Sequence, residues 1–244
     1  MSSLSAHRRE LKYLLGLRAW PGLLARWQRH LVKAPFTNEH ALSPVLSLYY
    51  DSPDLCFYRE KLDGLPHRQK VRLRTYGHEF RAGQTTILEI KYRNHDLVRK
   101  RRHRIAGFNP AQRAPDQWRI DDVETRGAFE ALRLRYRLRP TAQVYYQREA
   151  YEGIVEQDVR ITLDTCLLGL HPGERPTGRL LLDRSRGLMP ETVGILEIKA
   201  TRGIPGWIHE GIVAAELEQR TIPKYVTAVE SLGLPQTMEA GIYA

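Results

Sequence analysis

The feature that most constrains this chain is an alternation of charged and apolar residues that returns in segment after segment. In Lys70-Val71-Arg72-Leu73-Arg74-Thr75-Tyr76, an extended backbone sends successive side chains to opposite faces, so Lys70, Arg72, Arg74 and Tyr76 share one face and Val71, Leu73 and Thr75 the other. A second segment, Leu88-Glu89-Ile90-Lys91-Tyr92-Arg93, sets Glu89, Lys91 and Arg93 against Leu88, Ile90 and Tyr92. A charged strand face turned to water is ordinary. A face this uniformly cationic is not.

The pattern recurs. Glu10 and Lys12 alternate with Leu11 and Tyr13; Lys100 and Arg102 share a face opposed by Arg99, Arg101 and His103; Arg148 lies with Tyr146; Arg160 lies with Thr162 and Asp164; Glu197 lies with Lys199. Leu-Glu-Ile-Lys occurs twice, at 88–91 and 196–199. Strands closed into a barrel with these faces inward would bring their cations to one lumen. Crowded unpaired charges repel, and such a lumen is tolerable only with water or a polyanion inside. A net charge of +10 over 244 residues points the same way, toward phosphate-rich partners. The basic residues are interleaved with strand positions and carry no RRM, KH or zinc signature, so nucleic acid is not the expected partner.

Strands are expected at 7–16, 45–51, 70–76, 85–93, 96–105, 141–151, 158–165, 179–183 and 193–201, and helices at 20–33, 54–61, 125–138, 205–220 and 224–232. This is α+β: an antiparallel β-barrel with flanking helices, which hides sheet edges and encloses a site. No linker rich in Gly, Ser or Pro interrupts the strands, so 1–244 is expected to form a single domain with its core at 8–232 and a loose tail at 235–244. Cys56 and Cys166 have no metal-ligand spacing and leave a disulfide between them open. Charged residues break up the N-terminus, and no apolar run reaches about 18 residues, which leads to the expectation of a soluble, cytoplasmic protein without a transmembrane segment.

Nine segments in collinear order strongly resemble the VTC domain, the polyphosphate-polymerase branch of the CYTH-like triphosphate tunnel metalloenzymes. They are Arg-Glu-Leu-Lys-Tyr at 9–13, Leu-Tyr-Tyr-Asp-Ser-Pro at 48–53, Lys-Val-Arg-Leu-Arg-Thr-Tyr-Gly at 70–77, Leu-Glu-Ile-Lys-Tyr-Arg at 88–93, Lys-Arg-Arg-His-Arg-Ile at 100–105, Tyr-Gln-Arg-Glu-Ala-Tyr at 146–151, Val-Arg-Ile-Thr-Leu-Asp at 159–164, Leu-Glu-Ile-Lys at 196–199 and Pro-Lys-Tyr at 223–225. The resemblance implies a tunnel fold and ATP-dependent transfer of the γ-phosphate onto a growing polyphosphate chain. It implies ATP and inorganic polyphosphate or triphosphate as ligands, Mn2+ or Mg2+ as cofactor, and leaves room for a membrane-protein partner.

Carried over position by position, Arg72, Arg74, Lys91, Arg148, Arg160 and Lys199 form the expected catalytic set. Lys12 and Lys100 are further phosphate ligands, and Lys224 guards a tunnel end. Lys70, Arg93, Arg102 and Tyr76 join the substrate-binding set through the faces they share. Glu197 is the implied metal ligand, with Glu10 and Glu89 as further candidates. Phosphoryl transfer needs alignment and cations placed around the transferred group, which forked arginines and point-charge lysines supply. Two departures stand out: Arg8 replaces the first acid of the family's hydrolases, and Thr221 stands where its polymerases often have lysine. A metal-dependent triphosphate hydrolase and a non-catalytic polyphosphate or nucleotide sensor are the alternatives.

Overall fold

The computed structural model describes residues 9–35, 37, 42–95, 97–105, 108–109 and 118–236. Arg8 and the tail beyond residue 236 lie outside them. In chain order the elements are β1 (Arg9–Gly16), α1 (Trp20–Trp27), β2 (Leu31–Lys33), β3 (Leu42–Asp51) and α2 (Cys56–Leu62). There follow β4 (His67–Tyr76), β5 (Thr86–Asn94), β6 (Leu97–Ile105), α3 (Val123–Tyr136), β7 (Arg139–Gly153) and β8 (Arg160–Leu170). The chain continues through α4 (Arg179–Leu182), β9 (Val193–Ala200), α5 (Gly206–Ala214) and α6 (Lys224–Ser231). The fold is α+β with antiparallel pairing, as expected.

Contacts divide the chain into two compact units, each assembled from three separated stretches. The first comprises residues 1–43, 146–167 and 189–222. Its strands run in the order β1-β9-β8-β7, with β2 paired to the end of β7. Leu11 faces Ile198 and Tyr13 faces Leu196 across β1 and β9, while Ile161 and Leu163 continue those rungs on β8. Alternation puts these apolar residues on one face, where they pack with Trp20, Leu23 and Trp27 of α1 and Ile208 and Ile212 of α5.

The second unit comprises residues 44–145, 168–188 and 223–244, and its strands run β7-β3-β4-β5-β6. Leu48, Val71, Leu73, Leu88 and Ile90 form its fully buried face, covered by Phe129 and Leu132 of α3. Asp122 caps α3 by accepting a hydrogen bond from the Thr125 amide at 2.8 Å, and Arg137 ends it in the left-handed region. Within neither unit do the strands form a hydrogen-bonded ring among the described residues; each is an open series, so the barrel expected from sequence is not closed by pairing inside either one.

Four local expectations are corrected. The helix expected over 20–33 stops at Trp27, because Leu31–Lys33 pair with β7 and sheet hydrogen bonds replace helical ones. Residues 179–182 are a helical turn rather than a strand: Leu180 and Leu181 amides bond back to Thr177 and Gly178 carbonyls, and three leucines in a row offer no alternation for a sheet. The helix expected over 205–220 ends at Ala214, before Glu216 turns left-handed at φ 49°. β8 runs past the expected end at 165 to Leu170, with Cys166 at φ 50° within it. Cys56 and Cys166 are both free thiols.

Gly211 lets α5 approach α1. A Cβ there would run into the buried Trp27 indole, lying 2.8 Å from its Cε2, while the indole N–H is committed to the Trp207 carbonyl at 3.0 Å. Helix propensity alone favours alanine at such a position by about 1 kcal/mol. Overpacking reverses the sign: Gly211→Ala is expected to lower the unfolding free energy by about 1–3 kcal/mol in urea titrations.

Candidate anion-binding site

In the second unit, strand register lines up the polar side chains in rungs. Tyr49, Arg72, Glu89 and Arg102 form one; Lys70, Lys91 and Lys100 the next; Ser47, Arg74 and Arg104, with Ile87 between them, a third. Because the opposite face of β4 and β5 is core, the alternation puts Lys70, Arg72, Arg74 and Lys91 on this one, whereas β6 also carries Arg99, Arg101 and His103 on its other side. Side chains directly opposite in neighbouring strands stand about 5 Å apart at Cβ.

Glu89 holds the array together. Only 3% exposed, it receives Arg72 Nε at 2.5 Å and Arg102 Nε at 2.6 Å, with Lys100 Nζ at 3.3 Å and Arg74 Nη2 at 3.7 Å. Burial alone would raise its pKa, but Arg72, Arg74, Lys100 and Arg102 hold it far below the usual carboxylate range. Burial likewise pushes the Lys100 ammonium down, and the neighbouring guanidinium groups push the same way against the pull of Glu89, leaving it at about 8. Both carboxylate oxygens of Glu89, a candidate metal ligand by its place in the sequence, are engaged by cations, which a divalent ion would have to displace.

Arg74 is 5% exposed, and its Nε has no hydrogen-bond partner; neither has the Oγ of Ser47, its register neighbour. Buried donors are nearly always satisfied, so this pair marks a place for an acceptor-rich ligand. Two predicted binding residues stand apart from the Glu89 cluster. Tyr76 is exposed at the end of β4, and Arg93, also exposed, donates to the His95 carbonyl at 2.8 Å. Lys224 opens α6, where its charge reaches Tyr49: burial would raise that phenol, yet Arg72, Arg74 and Lys224 bring it below the ordinary tyrosine value.

In the first unit the predicted residues form a second polar face. Glu10 faces Lys199, which faces Arg160; Lys12 faces Glu197, which faces Thr162. Glu10 pairs with Lys12 at 2.9 Å and Glu197 pairs with Lys199. Arg148 is gripped by buried Asp164 through Nε at 2.6 Å and Nη2 at 2.7 Å, and it lies 5.2 Å from the Tyr146 ring centroid. That forked edge is committed to a carboxylate of the protein itself, which the sequence reading of Arg148 as a phosphate ligand did not foresee.

Among the described residues no three His, Cys, Asp or Glu side chains gather as a metal cluster. Hard divalent cations need only one or two carboxylates when phosphate and water complete the shell. Glu197 meets that requirement, with Glu10 on the neighbouring strand and the buried, unpartnered Thr162 Oγ1 directly across from it. Thr162, Ser47, Tyr49, Asp51 and Tyr225 escaped the sequence reading because they are uncharged or sit in apolar runs; the period-two continuation of the charged faces through 47, 49 and 162 was the available signal.

Replacing Glu89 by glutamine leaves the crowded cations without their counter-ion. Breaking a buried ion pair from one side costs about 3–5 kcal/mol, and Glu89→Gln is expected to lose stability on that scale in denaturant titrations at neutral pH. Since the folded-state pKa is depressed, the wild-type contribution is complete above the ordinary glutamate value of about 4.3 and declines as pH falls below it. The difference between wild type and Glu89→Gln should therefore shrink steadily below about pH 4.

Comparison with known proteins shows the family. The VTC domain description matches residues 7–233. Subunit 4 of the vacuolar transporter chaperone complex from Trypanosoma brucei brucei is 24% identical over 201 residues, covering 66% of this chain and 25% of the relative. The Trypanosoma cruzi subunit 4 is 22% identical over 267 residues, covering 89% of this chain and 33% of the relative. The chain thus spans about a quarter to a third of the length of these relatives. A crystal structure of a Bacillus halodurans protein described as a candidate adenylate cyclase superposes with a TM-score of 0.52 at 11% identity, covering 89% of this chain and 95% of the other, which supports the fold alone. With the match running through nearly all the described elements, the chain belongs to the VTC domain family.

Proposed function

We propose that this protein is an ATP-dependent polyphosphate polymerase that transfers the γ-phosphate of ATP to a polyphosphate chain. The observation that carries this reading is the register-aligned array in which Arg72, Arg74, Lys100 and Arg102 surround one buried carboxylate and Lys70 and Lys91 stand on the rung of Lys100, with Arg74 Nε and Ser47 Oγ unsatisfied beside it. Linked phosphates supply the oxygen acceptors and negative charge such a surface requires. The family membership and the subunit 4 relatives support the same class of chemistry.

In this reading Arg72 and Arg74 give forked contacts to phosphate oxygens, and Lys70, Lys91 and Lys100 act as point charges. Charge spreading over the transferred group is met by cations already in place, so little reorganisation accompanies transfer. On the first unit's polar face, Lys12, Arg160 and Lys199 bind phosphate in the same manner. Glu197, Glu10 and Thr162 would hold Mn2+ or Mg2+, whose chemistry is to neutralise charge on phosphate oxygens and orient them. No serine–histidine–aspartate arrangement is required, because the attacking atom is a phosphate oxygen. Among the described residues no helix is long and apolar enough to cross a membrane; a cytoplasmic location and a membrane partner that takes up product belong to the same proposal.

Incubating the protein with ATP and Mn2+ or Mg2+ should yield chains resolvable on a gel, with Arg72→Ala and Glu197→Gln each reducing synthesis at least 100-fold on the scale of lost transition-state cation contacts. Phosphate release without chain growth would identify a triphosphate hydrolase instead, and binding without turnover a sensor. Lys100 adds a pH dependence with a defined sign. Its ammonium is lost as pH rises through about 8, so triphosphate affinity should fall between pH 7 and 9 in the wild type more steeply than in Lys100→Arg, which keeps its charge.

A further inference from the structure

Asp51 is a fully buried carboxylate to which the phosphate chemistry above assigns no task. It accepts hydrogen bonds from the backbone amides of Ser52 at 2.7 Å, Phe57 at 2.9 Å and Tyr58 at 3.0 Å, and from the Tyr225 hydroxyl at 2.6 Å. The Tyr225 ring stacks on Tyr49, centroids 4.9 Å apart and planes 28° from parallel. The Tyr49 hydroxyl in turn accepts from Arg72 Nη1 at 2.9 Å. Both tyrosines are 2% exposed, and Lys70 Nζ lies 5.7 Å and 6.0 Å from their ring centroids. An unbroken series of contacts therefore leads from the first turn of α2, through Asp51 and α6, to the guanidinium of Arg72.

Glu89 holds one edge of Arg72, through Nε and Nη2 both at 2.5 Å, but the same carboxylate also serves Arg74, Lys100 and Arg102. A guanidinium is planar, and a second contact on its other edge fixes the plane. Tyr49 makes that contact, and Tyr49 cannot tilt while Tyr225 is stacked on it and tied to Asp51. Tyr225 also directly follows Lys224, so the same tie fixes the first turn of α6. We propose that Asp51, Tyr225 and Tyr49 are positioning residues that set the direction of the Arg72 guanidinium and the place of Lys224 for a phosphate chain. This rests on the phosphate reading above and adds the machinery that aims its central arginine. A mere anchor for α6 would act on stability without acting through Arg72, and the two roles are separable.

The test is calorimetric titration of the full chain with inorganic tripolyphosphate, with thermal unfolding run beside it. Loss of a hydrogen bond that orients a charged group corresponds to about tenfold in affinity. Tyr49→Phe is expected to bind about tenfold more weakly, and Tyr225→Phe, which keeps the stack but frees the ring, about threefold more weakly. Positioning through Arg72 requires non-additivity: in an Arg72→Ala background, Tyr49→Phe should cause no further loss. A spectroscopic sign accompanies it, since tripolyphosphate would neutralise the cations that depress the Tyr49 phenol; the tyrosinate absorbance should move to higher pH on binding, and this shift should vanish in Tyr49→Phe.

Equal losses in the two backgrounds, or wild-type affinity in both Tyr49→Phe and Tyr225→Phe, would overturn the positioning role while leaving the phosphate reading in place. Should Tyr49→Phe fail to fold, Tyr225→Phe alone and combined with Arg72→Ala gives the cycle, run in a Lys224→Ala background so that only the route through Arg72 is read. Wild-type protein that does not bind tripolyphosphate overturns the phosphate reading and this inference with it.

Discussion

Repulsion among the cations of β4, β5 and β6 is the interaction on which the second unit's polar face depends. Side chains directly opposite in neighbouring strands stand about 5 Å apart at Cβ, and the register sets Lys70 beside Lys91 and Lys91 beside Lys100. The strands pair in spite of this, because their other face buries Leu48, Val71, Leu73, Leu88 and Ile90 completely and register cannot slip by one residue without turning those side chains out to water. Apolar burial thus forces the cations together, and Glu89 makes their crowding tolerable. One carboxylate does not neutralise the array, and the remaining positive charge is what a polyanion would meet.

The first unit solves the same problem differently. Its polar face alternates in sign, Glu10 against Lys199 and Lys12 against Glu197, so neighbouring strands compensate one another and no single residue is central. Arg148 and Asp164 form a buried, doubly bonded pair beside them. Glu10 and Glu197 each pair with a lysine, and the orphaned hydroxyl of Thr162 lies across from Glu197. The two faces are therefore chemically distinct: one gathers cations about a single carboxylate, the other alternates in sign.

Much of this was legible from residue order. Period-two alternation located β1, β4, β5, β6, β7, β8 and β9 and separated polar from apolar faces in all of them but β6, whose two faces are both basic, and the nine collinear segments pointed to the family. Helix ends were less legible where neighbours intervened. Leu31 and Val32 continue the amphipathic spacing of α1, yet β7 offers them sheet partners; Leu180–Leu182 resembles a strand by composition, yet among the described residues it pairs with no strand.

What the sequence by itself determined was which side chains share a face, because a strand's geometry fixes that locally. What only the tertiary structure decided was which faces' charges are answered and by whom. Glu89 and Glu197 occupy the same place in identical Leu-Glu-Ile-Lys segments. One is closed off by four cations from β4 and β6, while the other keeps a single lysine and a threonine neighbour from β8. Likewise Asp51 and Tyr225 carry no periodic signal of their role, since residues 51 and 225 meet only after the chain has folded. A carboxylate's chemistry is set by the charges and donors around it, and those arrive from strands distant in sequence.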